Sequence, residues 1–522
     1  MQLTQALHRA VATRPDGIAT ICLNRRRTFI ECRDRVARLA GALRALGVDT
    51  GDRVGILSLN TDRYVEAYMG IPWAGAVFNP INTRWSSAEI GYSLEDCDTR
   101  VLLIDDSFAP MAGELKRTSR SLATLIHIGD HSTPAGMLSY ETLVTTHEPV
   151  PDAGRRGKDL AGVFYTGGTT GHPKGVMLSH DALVYNALVL ANEGMARVGD
   201  VALHAAPMFH IADFCMFNAQ WLVGGTHVAL PGFTPLAALQ ALHSERITAT
   251  VLVPTMIQMV VDHPQAANFD LSSLRMLAYG GSPINEALLD RAQALLPVTQ
   301  FMQVYGMTEL APTVAVLSPA IHSSEGRSTG RLRSGGLPCA GISVRIVTPD
   351  GADVPRGEVG EIIVRSPGVM LGYWGKPEET AAALERSPNE GWMHTGDGGR
   401  IDEAGFLYVV DRVKDMIISG GENVYSIEVE QAVAKHPAVA ACAVIGVPDP
   451  QWGERVHAVV VLKAGQRATG EEIREHCKAL IGGYKCPRSV EFVAALPVTG
   501  AGKVLKRDLR QPYWQGRESR VS

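Results

Sequence analysis

From Tyr165 the chain reads YTGGTTGHPKGVMLSH, with four glycines and three threonines gathered around one lysine, Lys174. Glycines let main-chain N–H groups approach an oxyanion closely, threonine hydroxyls add donors, and an ammonium adds charge. This is the donor set of a phosphate cradle, formed by Thr166, Gly167, Gly168, Thr169, Thr170, Gly171 and Lys174. The nucleotide loop of P-loop proteins needs glycine before its lysine and a serine or threonine after it. Here Pro173 precedes Lys174 and Gly175 follows, so the hydroxyl that would bind magnesium in such a loop is missing from its place. A flexible Gly/Thr surface turn is the plainer alternative.

Four further stretches carry residue types with chemical potential. QVYGMTEL holds Tyr305, Gly306, Thr308 and Glu309, and GWMHTGD holds Asp397. DRVKDMIISGGENVYSIEVE holds Arg412, Lys414, Gly420 and Gly421, and LPVTGAGKVLKRDL holds Lys503. Each alone is weak: a Thr-Glu pair commonly starts a helix, a T-G-D-G aspartate commonly shapes a turn, and a Gly-Lys pair is commonly a solvated turn. No Ser-His-Asp or Cys-His arrangement stands out. The eight cysteines show neither a CxxC pair nor a metal-ligand spacing with histidines, which reads as reduced, buried thiols and a cytoplasmic address.

The elements that must position these residues follow from periodicity. FIECRDRVARLAGALRALG is helical and ends on Gly47, DRVGILSL is a buried strand, DRYVEAYMGIPWAGAV is helical, and RVLLIDD is a strand. HVALP, ATVLVP and RMLAYGG are further short strands, separated by helices such as PLAALQALHSERI. Such alternation predicts α/β architecture, parallel sheet covered by helices, with ligands beyond the carboxyl ends of the strands. After about Gly330, SVRIVTPDG, GEIIVRSPG and GFLYVVDRVKDMIISGG read as a small β subdomain. From Val424 a compact α+β unit of about 100 residues follows, a common domain size, and QPYWQGRESRVS reads as a frayed tail.

A net charge of −5 argues against nucleic acid as the main partner. The short basic runs Arg25-Arg26-Arg27 and Arg155-Arg156 read as solvated surface. Apolar runs such as AVAACAVIGV are roughly half the ~20 residues a membrane span requires.

In this order and at these separations, the five stretches resemble the adenylate-forming (AMP-binding) enzyme superfamily, in its acyl-CoA synthetase and fatty-acid–CoA ligase branch, over nearly the whole chain. The resemblance implies ATP, Mg²⁺ and CoA as cofactors and a small-molecule carboxylic acid as substrate, with a homodimer left open. It implies a large N-terminal domain, 1–411, for ATP and the acid, and a small mobile C-terminal domain, 412–522, carrying the catalytic lysine. Thr166–Lys174 would hold the β- and γ-phosphates and release them as pyrophosphate. Thr308 would donate to the α-phosphate and Glu309 would hold Mg²⁺. Tyr305 and Gly306 would lie at the adenine, with Gly280, Gly281 and Ser282 as the facing wall. Asp397 would accept from the ribose hydroxyls with Arg412 nearby. Lys503 would reach the attacking carboxylate and the α-phosphate, Lys414 would be the hinge, and Gly420 and Gly421 would face the pantetheine channel. The chain departs from the family pattern at Gly500-Ala501 and at Ser426, where proline is frequent.

For the acid, the resemblance points to HAAPMFHIADF, VPTMIQMV and Tyr279–Ser282, with His210 as a gate; a packing histidine is the alternative. Met208, Phe209, Phe214, Met256 and Met259 would give an apolar lining, and no Arg or Lys falls in these stretches. Asp213 is unusual there and would either meet a polar group of the substrate or cap a helix. This favours a medium- or long-chain fatty acid, with an aryl acid of benzoate or cinnamate type second. An enzyme loading a free carrier protein is a further alternative.

Overall fold

Thr28 and Glu31 start the first long helix. The Thr28 hydroxyl accepts from the Glu31 N–H at 3.3 Å, and the Glu31 carboxylate accepts from the Thr28 N–H at 2.7 Å. This reciprocal box satisfies two of the donors a helix start leaves open. The helix spans Phe29–Ala45 and stops before Gly47, whose φ of +78° suits glycine. The same box starts the helices Ser87–Asp96 and Gly470–Lys478.

The structure is a computed structural model. It describes residues 1–166, 173–282, 284–384, 388–412, 415–419, 422–499 and 504–515, with only the main chain of Ser324, Glu325, Asp411, Arg412, Glu422 and Asn423. Two compact units emerge: Met1–Pro283, Leu288–Ser343 and Arg365–Arg386 form one, and Ile284–Ala287, Val344–Val364 and Ser387–Ser522 the other.

Among the described residues the first unit holds two large sheets. One runs, in spatial order, Leu337–Pro338, Thr313–Leu317, Gln300–Gly306, Met276–Gly280, Ala249–Leu252, Val201–His204, Thr226–Ala229, Ile18–Cys22 and Arg25–Thr28. Its pairs are parallel from Gln300–Gly306 to Ile18–Cys22 and antiparallel outside that stretch. The other runs Gly372–Tyr373, Lys174–Ser179, Leu160–Thr166, Val77–Pro80, Arg53–Leu57, Thr99–Ile104, Thr124–His127 and Leu138–Ser139. Again the centre is parallel, and Lys174–Ser179 pairs antiparallel with both neighbours. Central strands such as THVA and ATVL are buried at every residue, as strands covered on both faces must be. The expected helix-covered parallel sheet is therefore present, with antiparallel edges that the sequence pattern does not disclose.

Two helices, Asp62–Ala74 and Ile211–Val223, join the sheets through aromatic rings. Tyr68 lies 5.1 Å from Phe78 and 4.8 Å from Phe214, and Phe214 lies 5.4 Å from Phe164. Phe217 continues the column to His227 at 5.1 Å and His204 at 6.1 Å on the opposite sheet. Every residue of Asp62–Ala74 is buried.

That burial extends to charges. Asp62 and Glu66, 1% and 0% exposed, meet the arginines that the sequence reads as surface. Arg25 clasps Asp62 at 2.8 and 2.9 Å, and Arg27 pairs with Glu66 at 3.0 Å, whereas Arg26 faces outward to Glu245. The reading of this run as solvated is thus corrected for Arg25 and Arg27. Desolvated carboxylates require such partners. Arg35 donates to Glu66 at 2.7 Å and grips Glu141 twice at 3.0 Å, and Arg63 donates to Glu141 at 2.7 Å.

In the second unit, Ser343–Val347, Gly360–Arg365, Met393–Ile401 and Leu407–Arg412 form a four-stranded sheet. Ile417–Ser419, expected with that subdomain, instead pairs with Glu422–Val424 and with the strand Gly453–Leu462. This second sheet also holds Val439–Asp449 and Ser489–Phe492. Helices Ser426–Ala434 and Gly470–Lys478 bury Val429, Val433, Ile473 and Cys477 with the strand residues Val444, Val456 and Val460 in one core. Val413 and Lys414, at the expected boundary, fall between the two sheets in sequence and lie outside the described residues. Of the stretch read as a tail, Gln511–Trp514 instead close the helix Lys506–Trp514, and residues 516–522 lie outside the described residues; Trp514 Nε1 donates to the Gly446 carbonyl at 3.0 Å and Tyr513 to Glu491 at 2.7 Å. Among the described residues no helix is long and apolar enough to cross a membrane.

Burial pushes the Glu141 carboxyl up, but hydrogen bonds from Arg35 and Arg63 and their charges outweigh it and hold the group at about 2. Its folded value lies below its unfolded one, so its contribution is complete above about 4.5 and disappears as pH falls toward about 2. Glu141→Gln should be less stable than the parent at pH 7 by urea denaturation, and the difference should shrink steadily over that acid window.

Candidate functional site

The Gly-rich stretch closes a β-hairpin. Leu160–Thr166 and Lys174–Ser179 pair antiparallel, with Thr166 opposite Lys174. A hydroxyl and an ammonium thus flank the mouth of the connecting segment, of which Gly167, Gly168, Thr169, Thr170 and Gly171 lie outside the described residues. Tyr165 donates to Asp96 at 2.6 Å, anchoring the strand end.

The opposite sheet delivers the next group from adjacent parallel strands. Met276–Gly280 pairs with Gln300–Gly306, placing Gly280 opposite Val304. A Cβ on Gly280 would lie 2.5 Å from the Val304 carbonyl oxygen, so only glycine fits this close approach. Gly281 and Ser282 follow one strand and Tyr305 is the last residue but one of the other, so the expected wall and the expected adenine residue stand at neighbouring strand ends. Such ends are where open α/β sheets bind ligands. Beyond Gly306 the chain makes one turn, Thr308–Leu310, with Thr308 and Glu309 both buried.

Tyr373, which sequence reasoning missed, connects the two groups. Its hydroxyl donates to Glu309 Oε1 at 2.9 Å, and Lys174 Nζ sits 5.1 Å from its ring centroid. The Met370 N–H donates to the Glu309 carbonyl at 2.8 Å. Glu309 is suited to a hard cation such as Mg²⁺: it is a carboxylate with one oxygen fixed by Tyr373, while no described residue donates to the other.

At the acid end, His210 caps the helix Ile211–Val223, its Nδ1 accepting from the Ala212 N–H at 3.1 Å. The loop before it is pinned by Asn60, a second residue missed from sequence. The Asn60 amide donates to the carbonyls of His204 and Ala206 at 2.9 and 2.8 Å and accepts from the Met208 N–H at 2.8 Å. Tyr68 adds a bond to the Met208 carbonyl at 2.6 Å. A lone Asn in a strand-end loop carries no signal for this; only the folded loop reveals it. Of the expected lining, Phe214 belongs to the aromatic column and Met259 is 49% exposed, while Met208, Phe209 and Met256 are buried. Tyr279 is fixed by a 2.9 Å hydrogen bond to His322 Nε2, whose Nδ1 bonds the Ser318 carbonyl at 3.0 Å. Burial lowers the His322 pKa to about 4, so the ring is neutral at pH 7 and Tyr279 is the donor.

Asp213 is fully buried and accepts from His204 Nδ1 at 2.8 Å. His204 Nε2 meets His227 Nδ1 at 3.0 Å, and burial with the charge of His204 lowers the His227 pKa well below its ordinary value.

In the second unit, Asp397 is buried, its N–H donates to Thr395 Oγ1 at 3.1 Å, and it stands opposite Arg412 in the strand register. Glu361 fixes the approach to it by accepting from His394 Nδ1 at 2.9 Å and from the Gly396 N–H at 3.2 Å. Gly420, Gly421 and Lys503 lie outside the described residues. Ser426, standing where the family pattern favours proline, is fully buried and accepts from Lys506, which also pairs with Glu430 at 2.7 Å.

One α/β unit thus carries a hairpin that ends at Thr166 and Lys174, the paired strand ends at Gly280 and Tyr305, and the buried carboxylate of Glu309, an arrangement suited to a nucleotide. The chain matches the AMP-binding enzyme family over residues 7–374 and the AMP-binding enzyme C-terminal domain over residues 428–503. It belongs to that family and thereby to the adenylate-forming superfamily. It is 43% identical over 491 residues, 93% of this chain and 94% of the relative, to a feruloyl-CoA synthase of an Amycolatopsis species. It is 37% identical over 500 residues, 94% of this chain and 90% of the relative, to a long-chain-fatty-acid–CoA ligase of Thermus thermophilus. The crystal structure of the anthranilate CoA ligase AuaEII with anthranoyl-AMP is similar with a TM-score of 0.89, at 28% identity, covering 98% of this chain and 97% of that one.

Asp213→Ala would leave the His204 Nδ1–H without its buried acceptor, a change that costs about 1–3 kcal/mol for a buried donor left unsatisfied. The denaturation midpoint should fall accordingly, while the ranking of acids by kcat/KM stays unchanged. A shifted ranking at unchanged stability would mean that Asp213 meets the substrate.

Proposed function

We propose that the protein activates an aryl carboxylic acid, of cinnamate or benzoate type, as its adenylate and passes the acyl group to CoA. The protein is an AMP-forming acid–CoA ligase. The observation that carries the aryl reading is the 43% identity over 491 residues with a feruloyl-CoA synthase, against 37% with the long-chain ligase. The firm seating of Tyr279 on His322 and of Phe214 in the aromatic column also suits a rigid planar acid. A fatty acid is the second reading, favoured by the buried methionines Met208 and Met256 and by the long-chain relative.

A carboxylate is a poor electrophile because it is anionic and its leaving group would be oxide. In the first half-reaction its oxygen bonds to the α-phosphorus of ATP and the bond to pyrophosphate breaks. This step calls for positioning and charge stabilisation rather than a covalent enzyme intermediate. Thr166 and Lys174, with the segment between them, hold the departing phosphates. Thr308 donates to the α-phosphate, Tyr305 lies on adenine against Gly280–Ser282, and Asp397 with Arg412 receives the ribose. Glu309 holds Mg²⁺, which when bound supplies charge neutralisation at the phosphates. Lys503 brings a mobile ammonium to the reacting oxygens, a contact needed only in this half. In the second half the CoA sulfur bonds to the acyl carbon and AMP leaves. Residues 412–522 turn about Lys414 between the halves, bringing Gly420 and Gly421 to the thiol's path, with His210 beside the acid. The buried thiols support a cytoplasmic address.

Pyrophosphate release with ATP and Mg²⁺ across ferulate, cinnamate, benzoate, octanoate and palmitate tests the substrate. An aryl acid should exceed the fatty acids in kcat/KM by at least about tenfold, a discrimination one pocket can supply, with AMP formed only when CoA is present. A larger kcat/KM for octanoate or palmitate would establish the second reading, and a single burst indifferent to CoA would point to a carrier-protein acceptor. Separately, Lys503→Ala should slow adenylate formation by about a hundredfold or more yet largely spare thioester formation from supplied acyl-adenylate. Equal loss in both halves would remove the lysine from its assigned role.

A further inference from the structure

Lys174 and Glu309 carry opposite charges toward one nucleotide, and each must stay available to it. Left in contact, a buried carboxylate and an ammonium would neutralise one another. They form no ion pair with each other. Tyr373 stands between them, offering its ring face to the ammonium and its hydroxyl to the carboxylate. A cation is attracted to an aromatic face without losing its charge, and a phenol donates to a carboxylate without neutralising it.

The ring is held in place by its own segment. The edge strand Gly372–Tyr373 pairs antiparallel with the hairpin strand, Tyr373 opposite Val176. Trp374 N–H donates to the Gly175 carbonyl at 2.7 Å and Leu371 N–H to the Met177 carbonyl at 2.9 Å. Tyr373 N–H donates to Thr380 Oγ1 at 2.9 Å. Gly372 has φ +141°, and a Cβ there would lie 2.8 Å from Thr380 Cγ2, so the bend is reserved for glycine. One end of this segment is thus tied to the sheet that carries Lys174. The other end, through Met370, is tied to the turn that carries Glu309 beyond the opposite sheet.

We propose that Tyr373 is a positioning residue for adenylation: it keeps Glu309 and Lys174 apart and aims the carboxylate at the cation that accompanies ATP. This rests on the reading of Glu309 as the Mg²⁺ carboxylate and Lys174 as the phosphate lysine.

The two contacts can be separated by substitution. Tyr373→Phe keeps the ring face and removes the hydroxyl, whereas Tyr373→Leu removes both. ATP affinity of the full-length protein is measured by calorimetry in Mg²⁺ and in EDTA, beside thermal unfolding. Tyr373→Phe should weaken ATP binding about tenfold in Mg²⁺, the size of a lost hydrogen bond to a charged group, and leave binding in EDTA unchanged. Tyr373→Leu should weaken it in both conditions. On a Glu309→Gln background, Tyr373→Phe should have no further effect. Unchanged affinity for Tyr373→Phe, or equal loss in Mg²⁺ and EDTA with a lowered melting temperature, would overturn the proposal while Glu309→Gln still abolishes the Mg²⁺ advantage. If Glu309→Gln itself leaves that advantage intact, the underlying reading of Glu309 fails and the proposal with it.

Discussion

Two buried helices set the spacing of everything that acts in the first unit. Asp62–Ala74 and Ile211–Val223 interlock through Tyr68, Phe214 and Phe217, and these rings reach Phe78 and Phe164 on one sheet and His204 and His227 on the other. Site residues leave strand ends of both sheets, so a slip between the sheets would part the hairpin of Lys174 from the turn of Glu309. Aromatic pairs resist such slips because their favoured geometries are specific. The polar ends of the column serve the same purpose, since Asn60 and Tyr68 fasten the loop that leads to His210.

Much of this was legible in the sequence because the signals were local. Helix caps, apolar strand runs and glycine-rich turns depend on neighbours in the chain, and Thr28 with Glu31 illustrates how a few residues determine a helix start. The misreadings share one cause, which is that partners lie far away in sequence. Arg25 looks solvated until Asp62 is placed beside it, and the two readings of Asp213, substrate contact or helix cap, both leave out its bond to His204. The strand Ile417–Ser419 reads as part of the β subdomain because it follows it in the chain, but it pairs with Glu422–Val424 and, through Ser419, with Gly453. The helix Lys506–Trp514 was overlooked because Pro512 sits within it and its apolar anchor, Trp514, finds its partner at Gly446.

The site divides in the same manner. Thr308, Glu309, Tyr305 and Lys174 were visible because their types and spacing form recognisable stretches. Tyr373 and Asn60 were not, because one tyrosine in a two-residue strand and one asparagine in a loop have no pattern of their own. What they do is positional: each holds a residue or loop of another element through one or more hydrogen bonds. Substrate choice is the least legible property, because apolar residues near a site serve packing and recognition with the same side chains, as Phe214 shows.

The cysteines acquire a meaning from the chemistry. All eight are free, and seven of them are buried. Burial raises every one of their pKa values, those of Cys97, Cys215 and Cys339 to about 12. At neutral pH such a thiol is ionised in only about one molecule in 100,000, and the thiolate is the nucleophile. An acyl-adenylate is a mixed anhydride that acylates any competent sulfur it meets. An enzyme that makes one must not offer its own. Keeping its thiols protonated and enclosed makes the incoming acceptor the most reactive sulfur present, and protects the catalyst from modification by its own intermediate.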